Sequence, residues 1–205
     1  MRDEDSTTYV GAIESSSDFG HRLHQEAVRR GLGRAQRLVV LSDGAEYNSA
    51  IAQEHFPAAT HILDFYHAAE RLHTLIKENT AHPAQGAFHQ QCYDQMEAGN
   101  IEAMTELLRQ ALPNNGPRRK AGLKHIAYFL QRKEQMRYAQ FRAQGWFIGS
   151  GVIEAGCKTL IGKRLKQSGM FWSVKGANAI IAARCCLYSL RFEQFWEDAA
   201  ESKAA

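Results

Sequence analysis

Two short apolar runs, each closing on an aspartate, constrain this chain most. Arg37 to Ser42 (RLVVLS) ends at Asp43-Gly44, and Thr60 to Leu63 (THIL) ends at Asp64. A short continuous apolar run bounded by turn residues marks a strand covered on both faces. Between the two runs, Ala45 to His55 reads as a helix, and Pro57 closes it. Ahead of them, Thr7 to Ile13 (TTYVGAI) is rich in β-branched and aromatic residues, which predicts a further strand. Asp18 is the expected N-cap of the helix that follows, where Phe19, Leu23 and Ala27 recur at helical spacing until Gly31 and Gly33. Strand, helix, strand, helix, strand is α/β patterning with at least part of the sheet parallel. Asp43 and Asp64 then fall at the carboxyl ends of their strands, the edge at which open α/β sheets bind ligands. Each is also readable as a turn residue or a helix N-cap.

From Tyr66 to about Arg142 the pattern is helical throughout. Leu72, Leu75 and Ile76 share one side of a helix over His67 to Asn79; Gly86 to Gly99 and Ile101 to Leu112 predict two more. The stretch PNNGPRRK (Pro113 to Lys120) reads as a loop, and Leu123 to Arg137 as the next helix, with Ile126, Phe129 and Leu130 inward. This block has the character of an insertion into an α/β domain. Its basic residues, Arg118 to Lys120 and Arg132 among them, fit either a solvated surface or a nucleic-acid face.

Gly149-Ser150-Gly151 then introduces a helix bearing Glu154. No Asp or Glu follows until Glu193, whereas Lys158, Lys163, Arg164, Lys166, Lys175, Arg184 and Arg191 do. One carboxylate beside an uninterrupted basic field suits a group that holds a metal ion next to a polyanion; an ordinary solvated basic face is the alternative. Met170, Phe171 and Trp172 can be core residues or a platform for a splayed base. Val174 to Leu190 predicts the last helix, with Ala177, Ile180, Ile181 and Leu187 at core spacing.

The net charge of +3 is too small to prove a nucleic-acid partner, so the distribution carries more weight: the first 18 residues are acidic and the last third basic. No apolar run approaches the roughly 20 residues of a membrane span, and no signal peptide opens the chain. The four cysteines (Cys92, Cys157, Cys185, Cys186) form no C-x-x-C pair, which points to a reducing cytoplasm and small core residues rather than zinc.

Phosphodiester chemistry with two Mg²⁺ or Mn²⁺ ions needs carboxylates converging from different elements, with the ions about 3.5–4 Å apart. Two strand-end aspartates and a glutamate on a late helix have that character. DGAEYNSAIAQEHFPAATHILDFYHAAERL, YAQFRAQGWFIGSGVIEAGCKTLIGKRLKQSGMFWSVKGANAI and RCCLYSLRFEQFWE resemble insertion-sequence transposases of the Asp-Asp-Glu class, with the ISKra group, similar to Mutator-type enzymes, nearest. The resemblance runs from Arg2 to Trp196, and RDEDSTTYVGAIE resembles the family's third strand region.

The resemblance implies an RNase H-like α/β fold, truncated at the N-terminus, with a large all-helical insertion before the catalytic Glu. It implies a partial core over 1–67, the insertion over 68–145, C-terminal helices over 146–198 that complete the core, and a frayed tail over 199–205. It implies that Asp43 is the second catalytic Asp and Glu154 the catalytic Glu, both metal ligands. Asp64-Phe65-Tyr66-His67 is then the D-x-x-H signature, in which Asp64 supports His67 as a structural or a catalytic pair. DNA contacts are expected from Lys158, Lys163, Arg164, Lys166, Lys175 and Trp172. The family's first Asp lies upstream of the matching segment, and Asp3 and Asp5, in a polar lead-in, do not replace it. The expected function is Mg²⁺-dependent strand cleavage and transfer on element ends and target DNA, by a homo-oligomer in a cytoplasmic, nucleoid-associated setting, with this segment inactive alone. A catalytically dead DNA-binding or oligomerising module is the main rival, and a helical structural protein the third.

Overall fold

The computed structural model describes residues 6–80 and 85–197. Asp3 and Asp5 and the tail over 199–205 lie outside them. In chain order the elements are α1 (Ser16–Arg29), β1 (Val39–Ser42), α2 (Glu46–His55), β2 (Thr60–Leu63), α3 (Phe65–Asn79), α4 (Gln85–Glu97), α5 (Ile101–Ala111), α6 (Gly116–Gln131), α7 (Tyr138–Ala143), α8 (Gly151–Cys157), α9 (Lys163–Leu165) and α10 (Val174–Tyr188). A 3₁₀ turn (Lys133–Met136) precedes α7, and a π-helical segment (Lys158–Gly162) joins α8 to α9. Helices dominate, with one two-stranded parallel sheet among the described residues. No helix among the described residues is long and apolar enough to cross a membrane.

The chain divides into two compact units, Gln36–Ser150 and the segments Met1–Ala35 with Gly151–Ala205. These boundaries differ from the expected ones at 67/68 and 145/146: the strands go with the helical block, and the first 35 residues go with the helix of Glu154.

In the unit Gln36–Ser150, β1 and β2 run parallel in the register Val39↔Thr60 to Ser42↔Leu63, joined across α2. Two strands alone are marginal in water, so the pair depends on the helices beside it. Ile62 and Leu63 are buried in one core with Leu72 and Leu75 of α3, Met96 of α4, Met104 and Leu108 of α5 and Phe129 of α6. Each such side chain contributes about 1.5–3 kcal/mol by leaving water. Phe65, the first residue of α3, meets Tyr138 edge-on with centroids 5.0 Å apart. The basic stretch Arg118 to Lys120 is helical rather than loop. Pro117 in the first turn of α6 needs no hydrogen-bond donor there, so the helix starts at Gly116.

In the other unit, Thr7 to Ile13 forms no strand, and Ile13 stands at a bend. Its backbone groups bond to side chains instead. The Tyr9 N–H donates to Ser189 Oγ at 2.9 Å; the Ile13 N–H donates to Asn178 Oδ1 at 2.7 Å, and Asn178 Nδ2 donates back to the Ile13 carbonyl. The cap of α1 is Ser15, whose hydroxyl accepts from the Asp18 N–H, so Asp18 stands in the first turn where its charge favours the helix dipole. The buried stripe of α10 is Ala177, Ile181 and Cys185; Leu187 is exposed and Ile180 half-buried. Among the cysteines, Cys92 and Cys185 are buried core residues, whereas Cys157 is exposed.

The π segment leaves carbonyls off the ordinary ladder, and Arg184 of α10 takes them up. Its Nε donates to the Leu160 carbonyl and its Nη2 to the Thr159 carbonyl, both at 2.8 Å. Arg184→Met keeps the stem but removes both donors. We expect a loss of about 1–3 kcal/mol and faster amide hydrogen exchange over 158–165. Unchanged exchange there would rule out this role for Arg184.

Candidate functional site

The carboxyl edge of the parallel pair gathers Asp43, Gly44, Asp64 and His67, as parallel pairing in this register requires. Asp43 follows β1 directly. Its Oδ1 accepts from the Ala45 N–H at 3.0 Å and from Asn48 Nδ2 at 2.9 Å, closing the turn into α2, whose N-cap Ala45 has no capping side chain. The turn reading of Asp43 therefore holds for one oxygen. Oδ2 has no hydrogen-bond partner among the described residues, and the side chain is exposed.

Gly44 has φ of 80°, a left-handed conformation that glycine adopts without strain. A Cβ here would collide with the Tyr128 hydroxyl and with Leu63 Cδ1, 2.5 Å away. The Tyr128 ring is itself fixed. The guanidinium carbon of Arg71 lies 3.8 Å from its centroid and that of Arg132 4.1 Å. Two guanidinium groups cannot share one face at those distances, so the ring is sandwiched. Arg132 Nη2 also donates to the Gly44 carbonyl at 3.2 Å.

Asp64 is fully buried and is the N-cap of α3. Its Oδ1 accepts from the His67 N–H at 2.9 Å and lies 3.0 Å from His67 Nδ1, and its Oδ2 accepts from the Ser150 N–H. Burial works against the charge. The Ser150 hydroxyl, the His67 N–H and ring and the Ser150 N–H outweigh it, so the carboxyl titrates below its usual range. With both oxygens engaged, Asp64 has no lone pair to offer a metal ion. With Nδ1–H donating to Asp64, His67 presents Nε2, on a side chain 43% exposed, as an acceptor.

Ser150 reaches Asp64 because the preceding backbone lies against α3. The Phe65 N–H donates to the Ile148 carbonyl at 2.8 Å, and a Cβ on Gly149 would meet the Tyr66 ring at 2.6 Å. Tyr138 is buried nearby with a hydroxyl unpartnered among the described residues. Burial first, then the charge of Asp64, push that hydroxyl's pKa well above its ordinary value.

In the other unit, Glu154 stands exposed on α8 with no hydrogen-bond or ion-pair partner among the described residues. Lys158 follows four residues later, on the same helical face. Lys163, Lys166 and Lys175 are exposed, and the half-buried Arg164 lies 5.1 Å from the Trp172 centroid with its Nη1 3.3 Å from Met170 Sδ. Phe171 is 97% exposed, so it is not a core residue; Trp172 is half-buried.

The structure thus brings Asp43, Asp64 and His67 to one sheet edge in one unit, while Glu154 and the expected DNA-contacting residues belong to the other. Sequence reasoning missed Ser150, Tyr128, Arg71 and Tyr138. Only Ser150 carried a local signal, as the one polar residue between two glycines. No protein-family model, curated protein or solved structure matches the chain.

Proposed function

We propose that the chain is a segment of an Asp-Asp-Glu transposase with an RNase H-like catalytic core, acting on DNA phosphodiesters. The observation that carries this reading is Asp43: a strand-end carboxylate at the ligand-binding edge of a parallel pair, its Oδ1 fixed by the turn and its Oδ2 free among the described residues. Exposed carboxylate oxygens are the hard ligands that Mg²⁺ and Mn²⁺ take, so Asp43 and Glu154 each offer a suitable ligand by chemistry and accessibility. Bound there, the ion would polarise the scissile phosphate and lower the pKa of an attacking water or hydroxyl. The chain's own contributions are separate. Asp43 offers an oriented oxygen, and Asp64 fixes the His67 tautomer so that Nε2 is held ready to accept a proton or a hydrogen bond. Lys158, Lys163, Arg164, Lys166 and Lys175 supply positive charge for the flanking phosphates.

A DNA-binding module without catalysis is the second reading, favoured by the uninterrupted basic field and the exposed Phe171. The two part on metal. On the first reading, Mn²⁺ binding followed by electron paramagnetic resonance is weak but real, and Asp43→Asn and Glu154→Gln each lower it at least tenfold. Lys158→Gln with Lys166→Gln leaves metal binding alone but flattens the dependence of log K for duplex DNA on log salt, by roughly 0.9 for each phosphate left without its lysine. Salt-sensitive DNA binding without metal binding would move the module to first place. Absence of both would sink the nucleic-acid reading altogether.

A further inference from the structure

Between α9 and α10 the chain holds outward the most exposed aromatic ring among the described residues, and holds it on a braced frame. The Met170 N–H donates to the Gln167 carbonyl at 3.3 Å, closing a turn in which Gly169 takes the left-handed conformation, at φ of 75°. Arg164 reaches across this turn. Its guanidinium carbon stands 5.1 Å from the Trp172 centroid, and its Nη1 3.3 Å from Met170 Sδ. Trp172 is half-buried and packs against the first turn of α10, where a Cβ on Gly176 would lie 3.8 Å from its Cε3. Ser173 then caps α10, its hydroxyl accepting from the Gly176 N–H at 3.1 Å. Phe171, between the turn and these anchors, is left 97% exposed. Met170 and Val174, both exposed, lengthen the apolar edge. The same stretch, 158–175, contains the exposed Lys163, Lys166 and Lys175 and no carboxylate.

We propose that Phe171 is a stacking platform for one unpaired base of a nucleic-acid strand, with Lys163, Lys166 and Lys175 serving the phosphates on either side. Three features specify the occupant. Cations without a carboxylate among them favour a polyanion over the apolar groove of a protein partner. A flat apolar ring beside such cations matches a base next to its phosphates, and every base has a π-face to offer. In a duplex both faces of each base are covered by neighbours, so the ring takes a base only where the stack is open. The backbone on both sides of Phe171 is already anchored, so little ordering opposes binding. The ring free to stack is thus Phe171, while Trp172, expected to contact DNA, holds the frame. The choice of DNA over RNA rests on the transposase reading; the platform itself does not.

The test uses the full chain and three oligonucleotides of about 12 nucleotides: a DNA strand, the RNA strand of the same sequence, and the DNA duplex. A 2-aminopurine in each single strand reports stacking as quenched fluorescence. Phe171→Ala should weaken single-strand binding about tenfold, abolish the added quenching, and leave duplex affinity within about twofold. Phe171→Tyr keeps the ring and should restore both. The salt slope should not change in Phe171→Ala, which removes no phosphate contact, whereas Lys166→Gln should lower it by roughly 0.7 for the single strand. Equal effects on the DNA and RNA strands would uphold the platform and assign it to single strands of either kind. Equal losses for single strand and duplex, or none for either, would overturn it. So would self-association that Phe171→Ala abolishes at unchanged single-strand affinity, which would give the ring to a protein contact. Mn²⁺ binding through Asp43 and Glu154 is read separately, so the platform and the transposase reading fail independently.

Discussion

Asp64→Ala is expected to destabilise the unit Gln36–Ser150 by about 3 kcal/mol, the sum of two effects. Loss of the N-cap of α3 costs about 1 kcal/mol. The Ser150 N–H, whose acceptor is buried, is left unpaired at a further cost of about 1–3 kcal/mol. The His67 ring also loses the oxygen that sets its tautomer. In urea, where small proteins lose roughly 1–3 kcal/mol of stability per molar denaturant, the midpoint should fall by about 1 M or more. Asp64→Asn, which keeps one acceptor oxygen, should fall less. Acid separates charge from shape. The folded pKa of Asp64 lies below its ordinary value of 3.8, so the native state binds fewer protons than the unfolded chain in the window between them. The stabilisation is fully present above about pH 4 and is lost as pH falls through the folded pKa. The parent should therefore lose stability more steeply in acid than Asp64→Asn. Parallel acid limbs in the two proteins, or an Asp64→Ala midpoint within about 0.3 M of the parent, would show that the carboxylate does not hold this edge.

The same residue shows what the sequence could reveal. Asp64 is legible as a cap because the cap, the helix and the strand before it are consecutive. His67 is legible because three residues along a helix is about one turn. Ser150 is not, since it lies 86 residues away, and the close approach of Gly149 to the Tyr66 ring that delivers it depends on tertiary packing. The two strands were readable because their apolar runs are continuous and stop at Asp. Thr7 to Ile13 misleads for a physical reason: a strand needs a neighbouring strand to bond, and here the Tyr9 and Ile13 N–H groups bond the side chains of Ser189 and Asn178 instead. On α10 the inward stripe passes through Cys185 rather than Leu187, because a small thiol fits beside Ile181 and Leu160 while position 187 faces outward. The Arg71–Tyr128–Arg132 stack joins residues of α3, α6 and the turn after α6, so no local spacing announces it. Of the expected α/β patterning, the described residues hold one two-stranded parallel pair, β1 with β2.

Gly44→Ala is expected to cost about as much as Asp64→Ala, by a different route. An L side chain at φ of 80° is strained by about 1–2 kcal/mol. The new Cβ also meets the Tyr128 hydroxyl and Leu63 Cδ1. Neither can move freely, since Leu63 is 1% exposed in the core and Tyr128 is clamped by two guanidinium groups. Overpacking of this kind adds about 1–3 kcal/mol, for a total of about 3. Tyr128→Phe removes the oxygen but keeps the stacked ring. In the double variant it should recover about 1 kcal/mol of the loss, a coupling that a double-mutant cycle reads directly. Full additivity would mean that the hydroxyl is not the obstacle and that backbone strain dominates. Asp43 is the neighbouring residue, and its oriented oxygen depends on the turn that Gly44 permits. Gly44→Ala should therefore weaken Mn²⁺ binding even at temperatures where the chain stays folded, while Tyr128→Phe alone should leave it unchanged. If Gly44→Ala lowered stability but left metal affinity intact, the metal would not be held by Asp43 in the orientation this turn imposes.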